Sequence, residues 1–183
     1  MNPALALVNS EHWYGRGVEG IKDQLDVPGW LEGFLGSFGP SAERPPTARQ
    51  KRELVRLRVL LRRVVTDIVR TGNLAAEDLE ELNRFIGSEP LTRRVVAEEG
   101  SFRVDLVPSR RSWRSILADI ATSFAELLER GEPERIKLCA NEECAWVFYD
   151  ESKNRSRRWC GASSCGTADK VRRFRARRRA RAA

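Results

Sequence analysis

The chain has 183 residues, of which 41% are hydrophobic and 32% are charged, a balance typical of a globular protein. That length accommodates one ordinary domain of about 100 to 150 residues with a small addition, but not a second full-sized domain. No apolar run approaches the roughly 20 residues that cross a bilayer, and the N-terminus lacks the basic region and cleavage site of a secretory signal. We therefore expect a cytoplasmic protein.

The net charge of +7 is concentrated at one end of the chain. The segment from Glu151 to Ala183 holds 12 Lys or Arg residues and 2 Asp or Glu residues, which gives +10. The remaining residues hold 21 basic and 24 acidic side chains, which gives −3. The C-terminal segment alone therefore indicates a polyanionic partner.

Hydrophobic periodicity predicts three helices in the first half of the chain. Asp26 to Phe38 predicts a short helix. After a proline-containing loop, Thr47 can cap a long helix that runs to about Thr71, and Gly72 supplies its end. The pattern recurs more briefly from Ala75 to Ile86.

Alternating apolar residues between Leu91 and Val107, around a turn that ends at Gly100, predict a β-hairpin. Ser112 then caps another amphipathic helix that runs up to Gly131. Core packing explains these apolar stripes. The expected fold class is α+β, with a mainly helical N-terminal domain that carries a small β-hairpin.

Four cysteines form two close pairs that are separated by 15 residues. The reducing cytosol makes disulfides rare, so the pairs indicate metal binding. Their spacing is typical of a zinc ribbon that holds one structural Zn²⁺ with no open coordination position. Four ordinary buried thiols, two disulfides and an iron–sulfur cluster are the alternatives. The predicted ligands are Cys139, Cys144, Cys160 and Cys165.

The segment between the two pairs is expected to fold back as a hairpin, with Trp146, Phe148 and Trp159 forming a miniature core. Metal binding would supply much of the folding free energy of so small a module. The predicted domains are residues 1–131, a helical domain, and residues 132–183, the zinc ribbon with its basic helix. We expect the two domains to have separate cores.

Basic residues flank the predicted metal site on both sides, between the cysteine pairs and after the last cysteine. A helix starting near Thr167 would place Ala168, Val171 and Phe174 on a face that packs on the zinc module. The arginines would then be free to neutralise phosphates. A solvated charge run is the alternative. The predicted nucleic-acid contacts are Lys153, Asn154, Arg155, Arg157, Arg158, Lys170, Arg172, Arg173, Arg175, Arg177 and Arg178.

Little in the sequence indicates catalysis. His12 is the only histidine, and no glycine-rich phosphate loop is present. We therefore expect no enzymatic activity. Polar Asn9 and His12 beside Trp13 suggest a small-molecule pocket in the N-terminal domain.

Cys139 to Arg179 resembles the CGNR zinc-finger family of bacterial proteins. The residues that carry this likeness are Trp146 to Phe148, Asp150, Ser152 to Cys160, and Lys170 to Arg175. The N-terminal part is similar to the ABATE domain, a stress- or ligand-responsive regulatory module, at Leu5 to Ser10, Trp30-Leu31 and Leu82-Asn83. Together the resemblances imply a transcription regulator.

One departure from the family pattern lies at its name-giving motif. Where the family has Cys-Gly-Asn-Arg, this chain has Cys165-Gly166-Thr167-Ala168. Any contact that the missing arginine makes is lost, although Thr167 can cap the helix and Lys170 can cover part of the charge. The sequence preference on DNA is therefore open, whereas the four cysteines are intact.

The leading hypothesis is a nucleoid-associated, DNA-binding transcription regulator whose N-terminal domain senses a small-molecule effector or forms a homodimer. An RNA-binding or ribosome-associated zinc-ribbon protein is the first alternative. An enzyme that uses the zinc ribbon as a docking arm is the second. We expect nucleic acid as the partner, with DNA favoured over RNA, and no membrane.

Overall fold

The computed structural model describes residues 2–11, 23–37, 46–110, 112–130, 132–141 and 144–182. No helix within these ranges is long and apolar enough to span a membrane. The elements in chain order are α1 (Pro3–Asn9), a 3₁₀ turn (Gln24–Asp26), α2 (Trp30–Gly36), α3 (Ala48–Thr71), α4 (Ala76–Ile86), β1 (Leu91–Glu98), β2 (Ser101–Pro108), α5 (Trp113–Glu129), a 3₁₀ turn (Pro133–Arg135), β3 (Ile136–Leu138), β4 (Val147–Tyr149), a π turn (Ala162–Gly166) and α6 (Thr167–Ala182).

Helix α3 is the centre of the hydrophobic core. Thr47 and Gln50 form a reciprocal capping box at its start, and Gly72 ends it with a left-handed φ of 72°. Its apolar stripe is fully buried against α1, α4 and α5. The predicted long helix and both of its ends are confirmed. The buried apolar residues of α3 are Leu54, Leu57, Leu60, Leu61, Val64, Val65 and Ile68.

Helix α1 was not predicted from the sequence. The Asn2 side chain caps it, and Leu5, Leu7 and Val8 are buried between α3 and α5. Asn2 also donates to the Ser123 carbonyl of α5 at 2.7 Å. Seven residues make less than two full periods of a helix, so hydrophobic periodicity carries little signal there.

A buried ion pair joins the end of α1 to the chain that precedes α2. Arg58 of α3 donates to both carboxylate oxygens of Asp23 at 2.7 and 2.6 Å and to the Ser10 hydroxyl at 3.1 Å. Burial raises the pKa of Asp23, but the hydrogen bond and charge of Arg58 bring it below its usual range. This pair therefore fixes Ser10 and Asp23 to the same point of the core.

Strands β1 and β2 form the predicted antiparallel hairpin, in which Leu91 pairs with Pro108 and Glu98 pairs with Ser101. Gly100 closes the turn with φ of 79°, a left-handed conformation that favours glycine. In contrast to the helices, the hairpin adds no residue to the described core. Five large apolar side chains on it are mostly exposed.

The expectation of two separate cores is wrong. Ile136 of β3 and Val147 of β4 are each 1% exposed and belong to the same apolar cluster as the helices. Asn9 of α1 bonds the backbone of Val147 twice, accepting from its N–H and donating to its carbonyl, both at 2.8 Å. The short β3–β4 sheet has too little apolar surface to form a core alone, so it shares that of the helices.

Replacing Asn9 with alanine should lower the free energy of unfolding by about 2 to 4 kcal/mol, because it leaves a buried N–H and a buried carbonyl of Val147 without partners. Asn73→Ala, at an exposed loop position, is the control and should cost less than about 0.5 kcal/mol. Urea unfolding of the zinc-loaded protein measures both. Equal effects of the two changes would show that Asn9 does not join α1 to β4.

Candidate metal centre and basic surface

Cys139 and Cys144 lie in a tight loop that strands β3 and β4 enclose. The Cys139 N–H donates to the Trp146 carbonyl at 2.8 Å, and the Cys144 N–H donates to the Asn141 carbonyl at 2.9 Å. The strands pair directly outside the loop, with Leu138 opposite Val147. Both sulfur-bearing residues are buried.

Cys160 and Cys165 lie in a second loop that leads directly into α6. The Gly166 N–H closes this loop on the Gly161 carbonyl at 3.0 Å, and buried Gly166 lies against the Trp159 ring. A π turn at residues 162–166 contains Cys165, and α6 begins at Thr167. The fourth sulfur is therefore two residues from the start of the basic helix.

The four sulfur atoms converge on one point. All lie within 4.8 Å of one another, with Cys144 and Cys160 at 3.5 Å and Cys160 and Cys165 at 3.6 Å. A tetrahedron of thiolates at about 2.3 Å from zinc has edges of about 3.8 Å. A disulfide needs sulfurs at about 2.05 Å, so these distances fit one structural zinc ion and do not fit disulfides.

The pKa values of two of the four thiols disfavour ionisation in the absence of a metal. Burial raises the pKa of Cys144 to about 12, and burial with the Cys144 thiol raises that of Cys160 further. Burial also raises the pKa of Cys165, but hydrogen bonds from Asn141 and the neighbouring thiols outweigh it and lower the pKa overall. Zinc must therefore displace the protons of Cys144 and Cys160 when it binds.

The helical domain holds the first cysteine loop through its backbone. Arg62 of α3 donates to the Ala145 carbonyl and to the Val8 carbonyl of α1, both at 2.7 Å. Ala145 follows Cys144 and has a left-handed φ of 51°, which is rare for a residue with a β-carbon. Arg62 thus joins α1, α3 and the cysteine loop.

The expected hairpin between the two cysteine pairs is not what the structure shows. The strands β3 and β4 flank the first pair, whereas residues 150–158 form a loop. Buried Asp150 organises that loop, accepting from the Lys137 ammonium at 2.6 Å, the Ser152 hydroxyl at 2.6 Å and the Arg157 N–H at 2.9 Å. Burial raises the pKa of Asp150, but these hydrogen bonds hold it well below its usual range.

Three basic residues of this loop have structural partners. Arg155 forms ion pairs with Glu132 and Glu134. Arg157 donates to the Trp159 carbonyl at 2.9 Å and lies 4.8 Å from the centre of the Phe148 ring. Arg158 lies over the Trp159 ring at 5.3 Å. In the loop, exposed Lys153 and Asn154 have no side-chain partner among the described residues.

The basic residues of α6 are exposed from Lys170 to the last described side chain, Ala180. Arg172 and Arg173 both pair with Asp169 in the first turn, at 2.9 Å each. No described acid lies within ion-pair distance of Lys170, Arg175, Arg177 and Arg178. Most of the positive charge of α6 is therefore open to a partner.

The packing expected for α6 is wrong in part. Val171 is 43% exposed and Phe174 is 61% exposed. Ala168 and Val171 face Asn141 across an open groove of about 530 Å³ instead of packing tightly on the zinc module. Ala168 and Val171 share this groove, but Phe174 is not among the residues that line it. Periodicity does not show whether a surface covers a helix face. Thr167 is the first residue of α6, and its hydroxyl donates to the Ala162 carbonyl at 3.4 Å.

Of the suggested small-molecule pocket, His12 and Trp13 lie outside the described residues. Asn9 is buried and uses its amide on Val147. It also lines a mixed polar and apolar cavity of about 520 Å³ between α1, the end of α5 and β4. Other residues around this cavity are Leu5, Leu127, Arg130, Trp146, Tyr149 and Arg157.

Zinc should reverse the pH dependence of stability. In the metal-free protein, the raised pKa of Cys144, about 12, stabilises the fold below the ordinary thiol pKa of about 8.5, and this stability is lost as the pH rises between the two values. In the zinc-loaded protein, protons compete with the metal, so stability is lost as the pH falls. Thermal unfolding from pH 5.5 to 10, with and without chelator, measures both. Parallel pH profiles would contradict this account.

Comparison with known families finds a match for each of the two parts of the chain. Residues 135–178 match the CGNR zinc finger, which contains all four clustered cysteines and most of α6. Residues 1–131 match ABATE, described as a putative stress-induced transcription regulator. No curated protein is similar enough to the chain to count as a relative. Since the ABATE match spans most of the 183 residues, the chain belongs to the ABATE family and carries a CGNR zinc finger at its C-terminal end.

Proposed function

We propose that the protein is a DNA-binding transcription regulator. The observation that carries this proposal is the helix α6, which begins two residues after Cys165 and exposes a nearly unbroken series of arginines. A closed four-thiolate site has no position for a substrate, so its role is to fix the helix and the loops around it. Exposed arginines on a fixed support bind phosphates and release counterions.

The loop at residues 150–158 adds a second basic surface next to α6. Cys160 and Cys165 connect the two surfaces through the metal site, which keeps them at a constant separation. Lys153, Asn154 and Arg158 are the loop side chains best placed to contact phosphate, because Arg155 and Arg157 already hold the loop together. The proposed phosphate contacts on α6 are Lys170, Arg177 and Arg178.

Base recognition would come from the first two turns of α6. A helix of this width fits the major groove of duplex DNA, where arginine reads guanine with two hydrogen bonds. We propose Arg172, Arg173 and Arg175 for this role. Asp169 holds the first two in a defined orientation, so recognition would not require ordering two free side chains. Major-groove side chains cannot read duplex RNA in this way, which favours DNA.

For the N-terminal part, residues 1–131, we propose a regulatory domain that senses an effector or forms a homodimer, with residues 132–183 as the DNA-binding part. The shared core supports coupling between them, since Asn9 and Arg62 bond the backbone beside Cys144. A ligand that contacts Asn9 would therefore act close to the zinc module. We propose that the protein works on the nucleoid and catalyses no reaction.

Removing residues 170–183 should abolish most DNA affinity while leaving zinc bound, because 8 of the Lys and Arg residues lie beyond the last cysteine. If about 6 of them touch phosphates, the slope of log K against log salt for the full chain should be about −5. Fluorescence anisotropy at several salt concentrations measures the DNA affinity of both chains and the salt slope of the full chain.

Unchanged binding by the truncated chain would contradict the role of α6.

Duplex DNA and a structured RNA of equal length are compared in the same titration. Tighter binding of the RNA would overturn the preference for DNA and favour an RNA-binding protein.

Replacing Asp150 with asparagine should weaken DNA binding several-fold, although it makes the protein more positive by one charge. The carboxylate holds Lys137, Ser152 and the Arg157 backbone, so its loss should disorder the basic loop. Glu151→Gln is the matched control, since it removes the same charge from an exposed neighbour. It should strengthen binding slightly. If both changes strengthen binding alike, charge alone governs affinity and the loop has no positioning role.

A further inference from the structure

The hairpin β1–β2 has one apolar face that nothing in the described part of the chain covers. In an antiparallel pair, directly opposite residues share a face, so Val95 with Val104 and Ala97 with Phe102 lie on the same side. Large apolar residues on this side are between 53% and 79% exposed. They are Leu91, Val95, Phe102, Val104 and Leu106, and the exposed Arg93, opposite Leu106, is the charged residue on this side.

The other face of the hairpin is more polar. It carries Arg94, Glu98, Arg103 and Asp105 together with Val96 and Val107, and Val96, Asp105 and Val107 are half-buried. Arg103 forms ion pairs with Glu98 at 3.4 Å and with Asp105 at 3.1 Å. The large exposed apolar residues are therefore concentrated on the first face. A two-stranded hairpin alone is marginally stable in water, so the apolar face needs a cover.

We propose that this apolar face is a homodimer interface and that its occupant is the same face of a second copy of this chain, in antiparallel orientation. The five large apolar side chains of each copy have roughly 150 to 200 Å² of surface apiece, of which about two-thirds is exposed. Two copies together would therefore bury about 1,000 to 1,300 Å², near the lower limit of specific interfaces. Such an isologous contact is closed and two-fold.

The distribution of charge along the hairpin selects a second copy and its orientation. The tip carries Glu98 and Glu99, whereas the base carries Arg93, Arg94 and Arg110, all exposed. Glu98 also pairs with Arg103 and Arg110 with Glu89, so Glu99, Arg93 and Arg94 carry most of the uncompensated charge. In an antiparallel pair, the acidic tip of each copy lies beside the basic base of the other. The same arrangement places Phe102 near the tip of one copy over Leu91 near the base of the other. A parallel pair would bring like charges together.

This inference rests on the proposed function, in which the N-terminal domain senses an effector or forms a homodimer, and it deepens that function. Two copies related by a two-fold axis would present two α6 helices to a palindromic site. The test of dimerisation contains no nucleic acid, so its failure is distinguishable from a failure of DNA binding.

Sedimentation velocity of the zinc-loaded chain tests the interface. We expect a species of twice the 20.8 kDa monomer mass that dissociates on dilution through the micromolar range. Val104→Lys should raise the dissociation constant at least about 10-fold, because it buries an unpaired charge. Thr92→Lys, an exposed residue of the opposite face, should change it less than about 3-fold. Far-UV circular dichroism and zinc content confirm that each variant is folded.

Charge reversal tests the orientation. Glu98→Arg with Glu99→Arg, and Arg93→Glu with Arg110→Glu, should each weaken self-association, whereas a mixture of the two variants should form a heterodimer. A wild-type monomer at about 100 μM would overturn the proposal, since this interface class associates at micromolar concentrations. A dimer that persists in Val104→Lys would also overturn it, as would an equal loss of self-association in Val104→Lys and Thr92→Lys. A mixture of the two charge-reversed variants that stays monomeric would overturn the antiparallel orientation.

Discussion

Convergence of four thiolates on one metal ion is the constraint on which the structure of residues 132–183 depends. The sulfurs come from two loops about 15 residues apart. The Ala140 N–H also joins these loops by donating to the Arg158 carbonyl at 2.8 Å, and the Asn141 amide donates to the Cys165 sulfur at 3.7 Å. Without metal, the raised pKa values of Cys144 and Cys160 favour neutral thiols, which attract one another only weakly. Zinc with four thiolates carries a charge of −2, and the arginines around it offset that charge. Metal binding thus fixes both the loop at residues 150–158 and the start of α6.

The zinc module is not an independent unit attached by a linker. Its strands β3 and β4 contribute Ile136 and Val147 to the core of the helices. Asn9 bonds the Val147 backbone as a neighbouring strand would, and Arg62 bonds the Ala145 carbonyl within the first cysteine loop. A change in the position of α1 or α3 would therefore move the backbone beside Cys144. This connection gives a regulatory N-terminal domain a direct physical route to the metal site.

The helices and the zinc site could be predicted because their signals are local. A stripe of leucines over 24 residues in α3, a capping residue and two cysteine pairs each fix structure within a short window. Elements that depend on distant partners could not be predicted: α1 is seven residues long, and β3 and β4 are three residues each. The hydrogen bonds of Asp150 and the ion pairs of Arg155 join residues that no pattern relates. For Phe174, periodicity predicted a packed position, whereas the side chain is exposed and lies outside the groove that Ala168 and Val171 line.

We propose that zinc organises the basic surface of the loop at residues 150–158 and α6 for DNA binding. The most direct test measures duplex affinity before zinc removal, after it and after zinc is restored. Salt concentration and pH are held constant, so the net charge of the arginines does not change. The account predicts a loss of at least about tenfold on removal, equivalent to about 1.4 kcal/mol, and recovery when zinc returns. An affinity that stays the same without zinc would show that α6 binds as a flexible charged tail, and it would contradict the claim.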